Sequence, residues 1–510
     1  MRWNKTKLWF GIGALVLVAI YFFTRLFHLT GLPIFTDEAI YIRWSQIGMR
    51  DANWRFISLT DGKQPMFTWI MMVLLKIFET ADPLWAGRLT SVIAGFGTLI
   101  GVWFVAYELF RDRRVSWAAS VGYILLPFST WYDRVALYDS LVATFAVWSL
   151  YLGIRLVRKL RLDTALLLGM VLGTGMLNKS SGFLSLYFLP ATLLLFDWQH
   201  KEKRQKLLRW IALVAVAGVL SQVIYSVLRL SPFFHMVEQK DNVFIFSVSE
   251  WLNQPFRFLA GNLRGMFDWV RHYLTLPVFI AVLLPIFTRW PKNRERWFLY
   301  VWWALPFAAL ATFAKILYPR FIFFMMMPLL IVAASTAVTV WDAMKNRMAR
   351  LLLVFVLVVP SLFMDWFIIT NPVAAPIPES ERGQFLDDWP AGYGVKEVVT
   401  YLTAEAAHQK IQVFTEGTFG LLPYAIEIYL VDNPNVRITG MWPLPETMPD
   451  DIVTAASESA TYFVLNETQT KPDWPMTLIG EYRKGMREDK RMMRFYRVDA
   501  PVADFGAAKK

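Results

Sequence analysis

Long apolar runs, separated by short polar segments, fill most of this chain up to about residue 370. Runs of about twenty apolar residues have the length of a helix that crosses a bilayer, and the pattern predicts about eleven of them. They cover roughly residues 8–28, 84–110, 115–131, 139–157, 164–179, 181–197, 207–229, 272–289, 296–313, 319–341 and 349–369. The apolar segment 65–78 is shorter, which favours an interfacial or re-entrant helix on the outer side.

The pattern changes after Asn371, where the apolar runs shorten and prolines mark a linker. Short runs bounded by turn residues are typical of strands. Four such runs occur at 411–414, 436–438, 462–465 and 477–479. Helices are predicted near 393–408 and 419–430. We therefore expect a transmembrane domain at 1–370 and a soluble α/β domain at 371–510.

The charge distribution predicts how these helices are oriented. The net charge is +12, and the basic residues cluster in short segments at 111–114, 158–161, 201–209, 289–296 and 345–350. Cytoplasmic loops carry an excess of Lys and Arg, and Arg2, Lys5 and Lys7 precede the first run. We expect a cytoplasmic N-terminus, a long first outer loop at 28–83 and an extracytoplasmic C-terminal domain. This clustering also argues against a nucleic-acid partner.

Composition excludes several kinds of chemistry. Only 18% of the residues are charged, below the roughly 25% of soluble domains. The chain has no cysteine, which excludes disulfides, thiolate metal sites and cysteine nucleophiles. It contains neither a glycine-rich phosphate loop nor a paired-histidine zinc motif.

Two groups of charged residues fall in the predicted first outer loop. Asp37 and Glu38 follow the first span, where a carboxylate could act as a general base. They would equally suit the first turn of a helix capped by Thr36. Lys63 precedes the short apolar helix, either as a phosphate ligand or as a lysine whose stem lies along the bilayer surface.

Further charges border apolar runs on the same predicted side. Arg134 and Asp139 form either a structural ion pair or a phosphate clamp, in which Asp139 steadies Arg134. Lys179 and Arg320 are isolated cations that the cytoplasmic preference of basic residues does not explain. Together with Lys63 they predict a site for an anionic ligand where bilayer meets water, and a lipid phosphate fits that position.

In chain order, these motifs resemble the GT-C membrane glycosyltransferases, in particular the protein O-mannosyltransferases and the bacterial lipid A aminoarabinose transferases. The resemblance covers roughly residues 8–200 and is looser from there to 370. It rests on Asp37-Glu38-Ala39 with Tyr41, Lys63-Gln64-Pro65, Arg88-Leu89 and the segment from Arg134 to Asp139.

The resemblance implies a GT-C fold and an inverting transfer of a sugar from a polyprenyl-phosphate donor. It implies that Asp37 is the base acting on the acceptor, with Glu38 in support. Lys63 would contact the donor phosphate, although Gln64 here replaces one proline of the family's pair. The candidate substrate-binding residues are Tyr41, Lys63, Arg134, Asp139, Lys179 and Arg320.

We therefore predict a glycosyltransferase of the plasma (inner) membrane. Its partners would be membrane lipids, the lipid-linked sugar and a lipid, glycan or protein acceptor. No cofactor is expected, with a divalent metal as the alternative. Two other functions stay open. A transporter or flippase of a lipid-linked saccharide would favour internal repeats and charges within the spans. A non-catalytic envelope assembly protein would not need Asp37.

Overall fold

The computed structural model describes residues 5–288, 290–485 and 492–500, with side chains from residue 8 onward. Arg2 and Arg289, which contribute to the predicted topology, lie outside the described residues. Helices make up the first part of the chain. They are α1 (Lys5–Leu26), α2 (Thr36–Arg50), α3 (Met66–Ile77), α4 (Pro83–Phe110), α5 (Arg113–Ile124), α6 (Pro127–Tyr132), α7 (Tyr138–Lys159), α8 (Leu162–Asn178), α9 (Gly182–Tyr187), α10 (Lys203–Tyr225), α11 (Met236–Phe244), α12 (Val248–Asn253), α13 (Leu259–Leu274), α14 (Leu276–Phe287), α15 (Asn293–Phe313), α16 (Met326–Ala343) and α17 (Arg347–Thr370).

Each predicted span coincides with helical structure, and the predicted class of a polytopic helical membrane protein is confirmed. Within the described residues, six helices are long and apolar enough to cross a membrane, and the pair α13–α14 gives a seventh if it counts as one span. The total of eleven stays a prediction. Helix α3 has 12 residues, about 18 Å, which is shorter than the roughly 30 Å hydrocarbon core.

Three predicted spans contain a break. The segment 115–131 divides into α5 and α6, and the segment 181–197 divides into α9 and a 3-10 helix at Leu189–Leu195. The segment 272–289 begins inside α13, which meets α14 at an angle of 111°. Each break lies beside a proline, at Pro127, Pro190 or Pro277, because proline removes a backbone donor and clashes with the preceding turn.

Contacts divide the chain into two units. The helical unit comprises Met1–Leu29, Asp51–Leu74 and Arg88–Pro376. Its helices approach closely where residues are small, as in many membrane bundles. A Cβ added to Gly169 of α8 would lie 2.8 Å from the Ala217 carbonyl oxygen of α10, so only glycine allows this approach.

The sheet unit comprises Thr30–Arg50, Leu75–Gly87 and Ile377–Lys510. Beyond residue 377 its elements are α18 (Glu379–Arg382), α19 (Val395–Ala406), β1 (Ile411–Glu416), α20 (Tyr424–Leu430), β2 (Val436–Met441), α21 (Asp450–Glu458), β3 (Ala460–Leu465), β4 (Met476–Arg483) and β5 (Met492–Val498). The five strands form one sheet in the order β2-β1-β3-β5-β4. Strands β1, β2 and β3 are parallel, and β5 is antiparallel to both β3 and β4.

The predicted small α/β domain is therefore confirmed, with the four predicted strands in place. Strand β5 and helix α21 were not predicted. The core of this unit packs helix α21 against one face of the sheet, with Ile452 and Ala455 buried beside Phe414 and Phe463. Helix α2 from the predicted first outer loop also belongs to this unit. The predicted boundary near residue 371 had placed it in the transmembrane domain.

Candidate functional site

The two adjacent carboxylates in the first turn of α2 have different surroundings. Glu38 is fully buried, and its Oε2 accepts a hydrogen bond of 2.9 Å from the backbone N–H of Phe35. It therefore caps the helix, a role that the sequence had suggested for Thr36. Asp37 is only half-buried, so it is the more accessible of the two carboxylates. Tyr41, one turn further along α2, is 4% exposed and packs against Trp44.

Residues beyond 377 hold the start of α2 in place. The backbone N–H and the hydroxyl of Thr36 both donate to the Pro390 carbonyl oxygen, each at 3.0 Å. Gly392 donates its N–H to the Ile34 carbonyl oxygen at 2.8 Å. A Cβ on Gly392 would lie 2.6 Å from that oxygen, so the close approach requires glycine. The position of Asp37 thus depends on contacts within the sheet unit.

The rest of α2 is anchored to α20. Arg43 forms an ion pair with Glu427, and both side chains are mostly buried. The Gln46 side-chain amide donates to the Ile428 carbonyl oxygen at 2.8 Å. The helix carrying Asp37 is therefore fastened by residues that lie 382 and 384 positions later in the chain.

A group of lysines gathers in the helical unit, just before α3. Asp61 accepts hydrogen bonds of 2.8 and 2.9 Å from Lys240 of α11, and it lies 3.7 Å from the ammonium of Lys63. Gly62 makes this arrangement possible, since its φ is +68° and a Cβ there would lie 2.3 Å from the Met236 carbonyl oxygen. One carboxylate is thus shared by two cations whose side chains are 21% and 30% exposed.

A third lysine joins this group from the end of α8. The Asn178 side chain donates to the Tyr138 carbonyl oxygen at 3.2 Å, which fastens the end of α8 to the start of α7. Lys179 consequently meets Asp139, with 2.7 Å between Nζ and Oδ1. The Gln64 amide donates to the Ser180 hydroxyl at 2.7 Å and so connects this pair to the segment that carries Lys63.

An acidic residue of α11 completes the lysine group. Asp241 follows Lys240 and lies beside Ser180 and Lys179. Burial raises the pKa of the Asp241 carboxyl, while the Ser180 hydrogen bond and the Lys179 charge act in the opposite direction. We call Asp61, Lys63, Gln64, Asp139, Lys179, Ser180, Lys240 and Asp241 the lysine cluster.

Arg320 approaches the same region through an aromatic ring. The Lys179 ammonium lies 4.6 Å from the centre of the Phe321 ring, and the Arg320 guanidinium carbon lies 5.7 Å from it. The Arg320 guanidinium also lies over Tyr318, at 4.6 Å. Three of the predicted cations, Lys63, Lys179 and Arg320, are therefore brought together in the helical unit.

Arg134 is placed differently from the prediction. Its guanidinium donates to the carbonyl oxygens of Thr24, Arg25, Phe27 and His28 at 2.8–2.9 Å. These groups lie at the C-terminal end of α1, where helix carbonyls lack intrahelical partners. Arg134 is 7% exposed, and Asp139 pairs with Lys179 in its stead. The predicted Arg134–Asp139 ion pair is therefore corrected, and the geometry gives Arg134 a capping role.

The sequence reasoning left Asp61, Lys240 and Asp241 out of the candidate site. Asp61 could have been noticed, since it stands two residues before Lys63. Lys240 and Asp241 gave no comparable signal, because Lys240 lies 179 residues after Asp61 in the sequence. Within the part of the chain that the structure describes, no group of three or more His, Asp or Glu side chains is placed to hold a metal ion.

This arrangement can be compared with known proteins. Residues 62–225 match the family model described as dolichyl-phosphate-mannose-protein mannosyltransferase. The matched region contains Lys63, Arg134, Asp139 and Lys179, whereas Asp37 precedes it and Arg320 follows it. No curated protein matches the chain significantly.

Solved structures extend the similarity over nearly the whole chain. The ArnT crystal structure from Cupriavidus metallidurans bound to undecaprenyl phosphate is 15% identical, with a TM-score of 0.57 over 98% of this chain and 99% of that one. The apo form of ArnT gives 14% identity and a TM-score of 0.56 over 96% and 98%. The Archaeoglobus fulgidus oligosaccharyltransferase in complex with Zn and sulfate gives 12% identity and a TM-score of 0.51 over 89% and 67%.

The chain therefore has the fold of the GT-C membrane glycosyltransferases, and the resemblance predicted from the sequence is confirmed. The matching family model and the structural neighbours describe glycosyltransferases, which agrees with the predicted class of enzyme.

Proposed function

We propose that this protein transfers a sugar from a polyprenyl-phosphate donor to an acceptor, with inversion at the anomeric carbon. In this proposal the N-terminus is cytoplasmic, the protein lies in the plasma (inner) membrane, and the reaction takes place at the outer face. The observation that carries the proposal is the lysine cluster, three half-buried ammonium groups that each form an ion pair with an aspartate, within a GT-C fold.

The lysine cluster suits a phosphate leaving group. When the bond between the sugar and the phosphate breaks, negative charge develops on the phosphate oxygens, and fixed cations stabilise it. An ammonium has three N–H groups, so Lys63 and Lys179 can each donate to a phosphate as well as to a carboxylate. Arg320 adds a planar guanidinium, which can donate two parallel hydrogen bonds to a phosphate.

The carboxylates of the cluster have a different role. Asp61 and Asp139 fix the orientation of the ammonium groups before the donor binds, which reduces the rearrangement needed during reaction. Because these partners balance much of the positive charge, the cluster favours the departing phosphate through the placement of its N–H donors more than through its total charge. In this proposal lysine and arginine neutralise the leaving group, and no metal ion is required.

Asp37 is the proposed base. An acceptor hydroxyl or amine loses a proton as it attacks the anomeric carbon, and a positioned carboxylate can take that proton. Its neighbour Glu38 supports it by capping the first turn of α2. Tyr41 follows Asp37 by four residues and therefore lies on the same face of the helix. The undecaprenyl phosphate bound to the structurally similar ArnT supports a lipid-phosphate carrier for this chain as well.

The test uses the purified full chain in lipid nanodiscs. A panel of polyprenyl-phosphate sugars is supplied with a cell-envelope extract as acceptor, and released polyprenyl phosphate is measured. The wild type should consume one donor, and Asp37→Asn should lower that rate at least about 100-fold while donor affinity changes less than about threefold. Asp473→Asn, the same change at an exposed position of the sheet unit, is the matched control and should retain the wild-type rate.

Each alternative function predicts a different result. A transporter or flippase would bind a donor and never consume it, even with acceptor present. A non-catalytic assembly protein would neither bind nor consume any donor. Equal rates for the wild type and Asp37→Asn would leave the transferase in place and overturn the assignment of the base.

A further inference from the structure

Two exposed aromatic residues lie on segments next to α2, the helix that carries the proposed base. Trp389 is 42% exposed, and it precedes Pro390, whose carbonyl accepts both hydrogen bonds from Thr36. Phe419 is 49% exposed, and it precedes Gly420, where an added Cβ would lie 3.7 Å from the Thr36 methyl carbon. Both rings therefore emerge from backbone segments that lie close to Thr36, the residue that adjoins Asp37.

Buried groups hold these two segments rigidly. The Trp389 carbonyl accepts hydrogen bonds from Asn466 at 3.0 Å and from Lys484 at 3.1 Å, and Lys484 is only 1% exposed. Lys484 also donates to the Asn466 side-chain oxygen. The Phe419 ring packs against buried Trp44, with 6.1 Å between the ring centres. Exposed aromatic rings supported in this way lose little freedom when a partner binds.

The segments also occupy a favourable position in the sheet. Phe419 follows the carboxyl end of β1, and Asn466 follows the carboxyl end of β3. Strand β1 lies between its parallel neighbours β2 and β3. The chain runs from β1 to β2 on one side and then crosses to β3 on the other side of β1. In open α/β sheets, ligands bind beyond the carboxyl ends of the strands at such a point.

The chemistry of these residues indicates what they bind. Each ring directly follows an exposed polar side chain, with Asp388 before Trp389 and Thr418 before Phe419. The negative face of an aromatic ring attracts the C–H face of a sugar ring, and adjacent oxygens accept hydrogen bonds from its hydroxyls. A lipid chain would gain nothing from the carboxylate of Asp388, and that carboxylate would repel an anionic partner.

We propose that Trp389 and Phe419 form an acceptor subsite that stacks a neutral carbohydrate next to Asp37. This inference rests on the proposed transferase function and names the class of acceptor. A sugar hydroxyl of the bound glycan would then be the nucleophile. It donates its proton to the Asp37 carboxylate and forms the new glycosidic bond as the polyprenyl phosphate leaves with the electron pair of the old bond.

The test measures glycan binding and donor release separately on the full chain in nanodiscs. Saturation-transfer NMR is recorded with cellopentaose, maltopentaose, chitopentaose and mannopentaose as probes. At least one should give a signal, and Trp389→Leu or Phe419→Leu should each weaken its binding about fivefold to tenfold. Trp389→Phe and Phe419→Tyr, which keep an aromatic face, should stay within about twofold. Leu478→Ala, at an exposed apolar residue of β4, is the control and should have no effect.

The outcomes separate this inference from the proposed function. If no probe binds, or if the leucine variants bind as tightly as the wild type, the carbohydrate subsite is wrong. If a probe binds through these rings while no donor is ever consumed, the subsite stands and the transferase proposal fails. If transfer proceeds, the leucine variants should raise the KM for the glycan about fivefold to tenfold and leave donor affinity unchanged.

Discussion

Replacing Lys179 with methionine is expected to affect stability and donor binding through two separable effects. The substitution removes the ammonium but keeps a side chain of similar length. It leaves the Asp139 carboxylate, which is 4% exposed, without its 2.7 Å partner. It also removes one of the cations proposed to hold the donor phosphate. Asp139→Asn and the double variant distinguish the two effects.

The stability cost follows from burial. Breaking a fully buried pair costs about 3–5 kcal/mol, because one charge remains desolvated. Here the Lys179 side chain is 29% exposed, and Asp139 lies in the first turn of α7, where the helix N-terminus favours negative charge. We therefore expect about 2 kcal/mol for Lys179→Met. The double variant with Asp139→Asn leaves neither charge of this pair unpaired and should recover to within about 1 kcal/mol of the wild type.

Donor binding should not recover in the double variant. A charge-assisted hydrogen bond contributes about 1.5–3 kcal/mol, so loss of the Lys179 contact should weaken donor affinity about 10-fold to 100-fold. Unfolding in the same nanodiscs gives the stability cycle, and titration with a polyprenyl-phosphate sugar gives the affinities. Wild-type donor affinity in both Lys179→Met and the double variant would refute the assignment of Lys179 to the phosphate.

Three further predictions test other parts of the structure. Arg134→Met should lower the free energy of unfolding by about 3 kcal/mol or more, because it leaves several carbonyl groups at the end of α1 without a hydrogen-bond partner. A loss of affinity for the sugar donor at unchanged thermal stability would contradict the capping role. EDTA should leave the transfer rate within about twofold, since the proposed mechanism uses lysine and arginine; a loss that Mg²⁺ or Mn²⁺ restores would show a metal requirement. The Lys315 hydrogen bond, aided by those of Ser247, lowers the pKa of Glu250 to about 2. Any stability from this pair is therefore present above the unfolded pKa, about 4.3, and is lost only as the pH falls toward 2. Hydrogen exchange of α12 in the wild type should be the same at pH 5 and pH 8 once intrinsic rates are corrected, and it should be faster in Lys315→Met. Much faster exchange of the wild type at pH 5 would contradict the lowered pKa of Glu250.

The helices were predictable because membrane spans are determined by local composition. The predicted segments 84–110 and 139–157 correspond to Pro83–Phe110 and Tyr138–Lys159. The breaks were less predictable, although Pro127 and Pro277 mark two of them. Proline occurs within other helices of this chain without ending them, for example at Pro306 in α15 and at Pro360 in α17. Tertiary packing decides which of these prolines ends a helix.

The pairing of charged residues could not be predicted in the same way. Arg134 and Asp139 are close in sequence, so a mutual ion pair was the simplest expectation. Folding instead brings the end of α1 to Arg134 from more than 100 residues away, and it brings Lys179 to Asp139 from 40 residues away. Local sequence contains no information about such partners, and the outer position of the isolated cations stays a prediction.

The attachment of α2 to the C-terminal part of the sheet unit also concerns the order in which the chain is made. Ribosomes synthesise the chain from the N-terminus, so the segment carrying Asp37 is finished long before Pro390 and Glu427 exist. The hydrogen bonds and ion pair that fasten α2 therefore form only after the last span, α17, has been synthesised. A nascent or truncated chain that ends before Pro390 contains every predicted span but lacks the partners that hold its proposed base. Under the proposed mechanism, a chain that ends before Pro390 would therefore transfer sugar more slowly than the full chain.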